Sequence, residues 1–377
     1  MLSTLDWIVL IGTLAAIVAY GVYKTRGEQS VKGYLLGGNE GKWWTIGLSV
    51  MATQASAITF LSTPGQAYSD GMGFIQIYFG LPLALIVVCV FFIPIYYKLK
   101  VYTAYEYLES RFDVKTRTLA AIYFLIQRGM GAGITIFAPA IILSSILGWN
   151  LNATILIIGF LVILYTVSGG TKAVNQTQKI RMIVIMVGMA IAFTLLLGYL
   201  PDEMSLSEAL HVAGASGKME ILDFSVDANN RYTVWSGVLG GFFLSLAYFG
   251  TDQSQVQRYL GGQSVTQSRL GLLFNALLKI PMQFFILLTG VLVFVFYQYN
   301  KAPIFFNTPE YEAVHEANGA ELDVLQETYD VWFDEKQTLN TAYLAAIRTG
   351  DEVEATSLAE QITVADAQEK SIRNDVK

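Results

Sequence analysis

The chain has 377 residues, 54% of them hydrophobic and 14% charged, with a mean hydropathy of +0.47 and a formal net charge of −6. So evenly apolar a sequence excludes a single soluble core and reads as an all-α polytopic membrane protein. One cysteine, Cys89, excludes a disulfide within the chain, and two histidines leave no metal-ligand cluster. No nucleophile or carboxylate pair is placed for chemistry, so neither an enzyme nor a nucleic-acid partner is read.

Eight spans are predicted, most near the ~20 residues that a bilayer-crossing helix needs. They are continuously apolar rather than alternating, which excludes barrel strands. The first covers 7–23. It lacks a basic n-region and a cleavage site, and Lys24 and Arg26 flank its far end, so it is an anchored helix and not a signal peptide. The second, 43–62, carries the small and polar run Ser49-Val-Met-Ala-Thr-Gln-Ala-Ser-Ala-Ile-Thr59 where Leu or Phe would be expected. The third is 74–97. The fourth, 119–147, holds Arg128 within Ile126-Gln-Arg-Gly-Met-Gly-Ala-Gly133. The fifth and sixth are 153–167 and 182–200. The seventh, 235–253, has Gly237, Gly240, Gly241, Ser245, Tyr248 and Gly250, and the eighth, 272–299, holds Lys279 just ahead of Pro281.

Basic residues orient the spans. Alternate loops carry Lys24, Arg26, Lys32 and Lys42; Lys98, Lys100, Arg111, Lys115 and Arg117; Lys172, Lys179 and Arg181; and Arg258 and Arg269, fourteen in all. The opposite loops carry only Lys218 and Arg231, so the N-terminus is expected outside. Trp7, Trp43, Trp44, Trp149 and Trp235 fall at span ends, as an interfacial belt requires. From 301 to 377 the chain turns acidic, with sixteen acids against six bases and helical runs at 321–333 and 341–347. This is an extracytoplasmic helical segment, and a chain ending there reads as the N-terminal portion of something longer.

Two interrupted helices in corresponding places point to an inverted-repeat transporter, in which unwound carbonyls bind a cation. The second and seventh spans fit that texture, and close helix packing through small residues explains it equally well. Arg128 and Lys279 are the basic residues inside the spans, and an ionisable group there marks a working site by default. Arg128 could instead snorkel or cap a neighbouring helix, and Lys279 could satisfy the carbonyl freed by Pro281. Asp252 is expected to pair with Arg258 or a loop base.

Four stretches in this order resemble the sodium/solute symporter family: Trp43-Trp44 with Gly65-Gln-Ala-Tyr-Ser69; Thr103-Ala-Tyr-Glu-Tyr-Leu-Glu-Ser-Arg-Phe112; Ser168-Gly-Gly-Thr-Lys-Ala-Val174; and Tyr248-Phe-Gly-Thr-Asp-Gln-Ser-Gln-Val-Gln-Arg-Tyr-Leu260. The resemblance covers residues 1–300. It implies a LeuT-type inverted-repeat fold with an extra N-terminal helix and an incomplete second repeat, in a plasma or bacterial inner membrane. It also implies sodium-coupled symport of a small organic solute (sugar, sialic acid or another carboxylate), with Na+ as coupling ion and no other cofactor. The alternative is a transporter-like sensor without net transport.

By motif, the resemblance places half a sodium site on the main-chain carbonyls of Ala52 and Ala55. Oxygen-rich Ser49, Thr53, Gln54 and Ser56 suit Na+. Gln178 stands where some relatives have an aspartate for a second ion, which argues for one sodium. The solute residues it implies are Ser56, Thr59, Gln76, Tyr78, Ser245, Tyr248 and Lys279. Arg128 joins them by likeness to a sialic-acid-transporting branch whose arginine forks a carboxylate.

Overall fold

The computed structural model describes residues 3–25, 39–56, 58–201, 204–227 and 229–376. Arg26 and Lys32 of the first basic loop lie outside the described residues, as do the side chains of the Ser168-Gly-Gly-Thr-Lys-Ala-Val174 run. The described chain is helical, with one isolated bridge between Gly41 and Gly262. In order, α1 is Thr4–Thr25 and α2 is Trp43–Gln54, followed by a π turn Ile58–Ser62 and α3 Thr63–Asp70. A 3-10 stretch, Met72–Tyr78, leads to α4 Leu81–Val87, a π turn Val88–Phe92 and α5 Ile93–Leu99. Then come α6 Ala104–Arg111, α7 Val114–Leu147, α8 Leu151–Gly198 and α9 Leu206–Ala215. A π turn Ser236–Gly240 opens α10 Gly241–Thr251, and α11 Gln253–Leu260 and α12 Val265–Tyr299 follow. The acidic segment forms α13 Thr308–Thr349 and α14 Glu352–Asp375.

Each expected span falls on helix, but not with equal length. Among the described residues, Met72–Leu99, Val114–Leu147, Ile180–Gly198 and Val265–Tyr299 are long and apolar enough to cross a bilayer, and the broken pair around Ala55 makes a possible fifth. The remaining expected spans fall on α1, on the first part of α8, and on the π turn Ser236–Gly240 with α10. The apolar surface of α7 is open: Leu119, Tyr123, Leu125, Ile126, Met130 and Ile134 are all exposed. A contiguous face of that kind is what lipid covers and water does not tolerate.

Two expectations change here. The loop drawn between the fifth and sixth spans is helical, so α8 runs 48 residues without a break. No proline stands between Leu151 and Gly198 to stop it. The seventh span does not unwind in its middle either. A Cβ on Gly237 would strike the backbone carbonyl of Gln76, and one on Gly241 the carbonyl of Ile77. These glycines serve close backbone approach, so packing is the explanation for that span. The helix ends instead at Asp252, whose extended backbone (φ −76°, ψ 117°) starts α11 and whose carboxylate accepts the Ser254 N–H at 2.9 Å.

The chain forms two compact units. The first comprises Met1–Ser62, Ile75–Gly188 and Phe224–Gln283. Its core joins Ile46 and Val50 of α2, Leu85, Val88 and Ile93 of the third span, Phe249 of α10, Tyr259 of α11 and Leu272 of α12. The second comprises Thr63–Phe74, Met189–Asp223 and Phe284–Lys377. Here α13 and α14 make a hairpin. Gly350 (φ +76°) closes α13 with its N–H toward Ile347 at 3.2 Å, and Asp351 caps α14. Buried Lys336 pairs with Asp366 and Glu369 across the hairpin, and α9 joins it through Arg348 Nε donating to Glu208 at 2.6 Å. Glu208 also completes a capping box with Ser205.

Candidate functional site

The break in the second span is the one the polar run predicts. Helix α2 stops at Gln54, and Ala55 leaves helical geometry (φ −88°, ψ 82°) while its N–H still reaches the Met51 and Ala52 carbonyls at 3.1 and 3.2 Å. A regular helix would next bring the Thr59 N–H to the Ala55 carbonyl. It goes to the Ser56 carbonyl instead, at 3.0 Å, and the Thr59 hydroxyl donates to the Gln54 carbonyl at 3.0 Å. Among the described residues no N–H takes up the Ala55 oxygen, so a half-buried carbonyl is left over at a place where an uncharged cation site is expected.

Two of the polar side chains in this run are already occupied. Gln178 of α8 is buried; its Oε1 accepts the Ser49 hydroxyl at 2.8 Å and its Nε2 donates to Thr53 Oγ1 at 3.1 Å. The amide therefore ties α8 to α2 one turn ahead of the break. Gln54 reaches across to Asn275 of α12 at 3.5 Å, the outer limit of a hydrogen bond.

Lys279 lies next on that same face of α12. It is 2% exposed, and among the described residues no carboxylate comes within ion-pairing distance. Its Nζ sits 5.5 Å from the centroid of the Tyr78 ring, a cation–π contact that stabilises the ammonium only in part. Asn275, Lys279 and Gln283 are spaced by four and share one helix face, and both amides are fully buried. Among the described residues, the Asn275 Nδ2 and both Gln283 amide atoms lack hydrogen-bond partners. Such a stripe is costly unless something polar meets it.

Arg128 is in the opposite condition. It forms an ion pair with Asp252, which is 7% exposed, and its guanidinium lies 5.4 Å from the Tyr248 ring centroid. The expected partner of Asp252 was Arg258 or a loop base; the partner is Arg128, because the α10–α11 junction turns the carboxylate toward α7. Tyr248 Oη accepts from Gln255 at 2.7 Å, which fixes the ring. Among the described residues, no acceptor reaches the buried Arg128 Nε. A cavity of about 640 Å³ adjoins this cluster, walled by Phe92, Tyr96, Tyr105, Tyr123, Tyr248 and Asp252.

The expected solute residues thus gather unevenly. Tyr78 and Lys279 meet, Arg128 and Tyr248 meet, and Ser56 and Thr59 flank the break. Ser245 is half-buried on α10, three residues before Tyr248 and so on its side of the helix. Gln76 is engaged elsewhere: it is buried, and its Nε2 donates to the Tyr232 carbonyl at 2.9 Å. Sequence reasoning missed Asn275 and Gln283, although their spacing from Lys279 in an apolar helix was a signal.

The family model described as the sodium:solute symporter family matches residues 34–326. Among similar proteins, the mouse sodium-coupled monocarboxylate transporter 2 is 30% identical over 275 residues, covering 72% of this chain and 44% of its own. The human sodium/iodide cotransporter is 31% identical over 274 residues, 72% of this chain and 42% of its own. The sodium/sialic acid symporter SiaT of Proteus mirabilis is 30% identical over 318 residues, 81% of this chain and 61% of its own. A solved structure of a substrate-bound, outward-open Na+-coupled sialic acid symporter superposes with a TM-score of 0.73 at 27% identity, covering 98% of this chain and 71% of that one. The chain spans less than half the length of the first two relatives.

Proposed function

Because this chain belongs to the sodium:solute symporter family, we propose that it serves sodium-coupled symport of a small organic solute, a sugar, sialic acid or another carboxylate, by alternating access. The helices belong to a LeuT-type inverted repeat preceded by an extra helix, in a cell membrane with the N-terminus outside. The excess of basic residues in alternate loops supports that orientation. Na+ is coordinated in part by the Ala52 and Ala55 carbonyls, and the leftover Ala55 oxygen supports that role. Solute is met by Ser56, Thr59, Tyr78, Ser245, Tyr248, Arg128 and Lys279. Gln76, whose Nε2 donates to the Tyr232 carbonyl, joins them.

One observation carries this reading: among the described residues, Lys279 is buried without a carboxylate, beside amide atoms that also lack partners. A buried ammonium normally has a counter-charge, because desolvation alone costs several kcal/mol or more. A bound solute whose oxygens accept from Lys279, Asn275 and Gln283 removes that cost in the loaded state. The arrangement favours binding over stability, as a transport site requires.

The test is uptake of radiolabelled sialic acid and short monocarboxylates into proteoliposomes with and without an inward Na+ gradient. Gradient-driven accumulation of one of them, abolished by Lys279→Met, is expected. Equal uptake with Na+ and with K+ would overturn the coupling.

A further inference from the structure

The Arg128–Asp252 pair does something that neither residue's expected role accounts for. Arg128 is the fork expected to hold a solute carboxylate, yet a carboxylate of the protein is already on it. The fit is incomplete. Asp252 reaches the guanidinium through Nη2, while among the described residues the buried Nε–H has no acceptor. The second Asp252 oxygen is not free to turn toward it, since Oδ1 accepts the Ser254 N–H at 2.9 Å and the Ser254 hydroxyl at 2.7 Å. Asp252 therefore makes a one-point contact with a group shaped for two.

The place of Asp252 in the backbone gives that contact a second meaning. It is the non-helical residue between α10 and α11, so a pull on its side chain acts on the junction of two helices. Asp252 and Tyr248 also wall the aromatic cavity, whose volume of about 640 Å³ lies in the range of small-molecule sites. Asp252, which holds Arg128, lines that cavity together with Gln127, the residue before Arg128.

We propose that Asp252 is an internal stand-in for the solute carboxylate: it occupies Arg128 when the site is empty, and a two-oxygen ligand displaces it by satisfying Nε and Nη2 together. Displacement releases the α10–α11 junction from α7, which links solute binding to movement at that end of the spans. The released carboxylate stays in place as the cap of α11 through Oδ1, so α11 does not fray. Selectivity follows as well, because a neutral solute cannot compete with Asp252 for the guanidinium. This inference rests on the proposed transport of an organic solute, and it names carboxylates as the class that engages Arg128.

The experiment measures Na+-dependent binding of sialic acid, propanoate and sialic acid methyl ester to the purified full chain and to Asp252→Asn and Arg128→Gln. Asparagine keeps the Oδ1 cap and removes the competing charge. Asp252→Asn should bind one of the carboxylates about tenfold more tightly than the wild type, the scale of one charge-assisted hydrogen bond, with the methyl ester unchanged. Arg128→Gln should lose that carboxylate. Hydrogen exchange across 249–252 in the wild type should rise when the carboxylate is added, and should already be raised in Asp252→Asn without it. Carboxylate binding that appears only in Asp252→Asn also supports the proposal. Wild-type binding that is unchanged or weakened in Asp252→Asn overturns it while leaving the transport reading intact. No carboxylate binding in any variant overturns it together with the carboxylate arm of that reading.

Discussion

The two cations inside the spans are held in opposite ways. Arg128 has a protein carboxylate, a tyrosine ring beneath it and a third of its side chain exposed. Lys279 is almost wholly buried, with a ring nearby and no carboxylate among the described residues. A charge that is paired contributes to the fold, and its loss strands the partner. A charge that is buried and unpaired weakens the fold and keeps its interaction energy for a ligand. The same default reading, that an ionisable group in a membrane span marks a working site, therefore leads to two different jobs.

The contrast is broken most strongly at Arg128. Arg128→Met leaves Asp252 buried without a counter-charge and should lower stability by about 2–3 kcal/mol, less than the ~3–5 kcal/mol of a fully buried pair because Arg128 is partly exposed. Thermal unfolding in detergent measures it. An unchanged midpoint would mean that the pair adds nothing to the fold.

Lys279→Met should do the reverse. Removing an unpaired buried ammonium for a side chain of similar volume leaves the unfolding midpoint equal or higher, while solute affinity falls by about 10- to 100-fold, the ~1.5–3 kcal/mol of a hydrogen bond to a charged group. A large loss of stability in this variant would reveal a counter-charge and erase the distinction between the two residues.

Gly237→Ala sharpens the comparison from the packing side. The added Cβ meets the Gln76 carbonyl, two residues from the Tyr78 ring that faces Lys279, so overpacking should cost about 1–3 kcal/mol and weaken solute binding together with stability. Stability lost with binding intact would show that the Tyr78 wall is insensitive to its neighbours.

An ordinary ion pair outside the spans supplies the baseline and the smallest effect. Arg348, with help from Ser205, pulls the Glu208 carboxyl down from 4.5 to about 2. Its folded value is lowered, so its stabilisation is present above pH 4.5 and is lost as the pH falls toward 2. In Arg348→Ala the dependence of the unfolding midpoint on pH in that window should become shallower. The change should be slight, since Arg348 is exposed and the pair is screened by solvent.

Much of this was legible beforehand because membrane helices announce themselves by continuous apolar length. The break at Ala55 could be read from the run of small and polar residues, which neither fill a lipid-facing surface nor reward helix continuation. The seventh span misled for a physical reason. Glycine serves both unwinding and close approach, and Gly237 and Gly241 do the latter because the Gln76 and Ile77 carbonyls lie against them. The loop before Met182 was drawn from its charges, and charges do not stop a helix that lacks proline or a cap. The Arg128–Asp252 pair joins residues 124 apart, and no local pattern encodes such a contact. The Asn275–Lys279–Gln283 stripe is in the sequence at a spacing of four, but two amides in an apolar helix carry no charge to mark them as the ionisable Lys279 is marked.

Lys279, which has no carboxylate among the described residues, is proposed to be kept so for the benefit of a solute. The most direct test is equilibrium binding of sialic acid and short monocarboxylates, in saturating Na+, to the wild type and to Lys279→Met. Binding by the wild type and a loss of at least about tenfold in the variant, with the unfolding midpoint preserved, is the predicted result. Equal affinity in the two proteins would contradict the claim and return Lys279 to the fold.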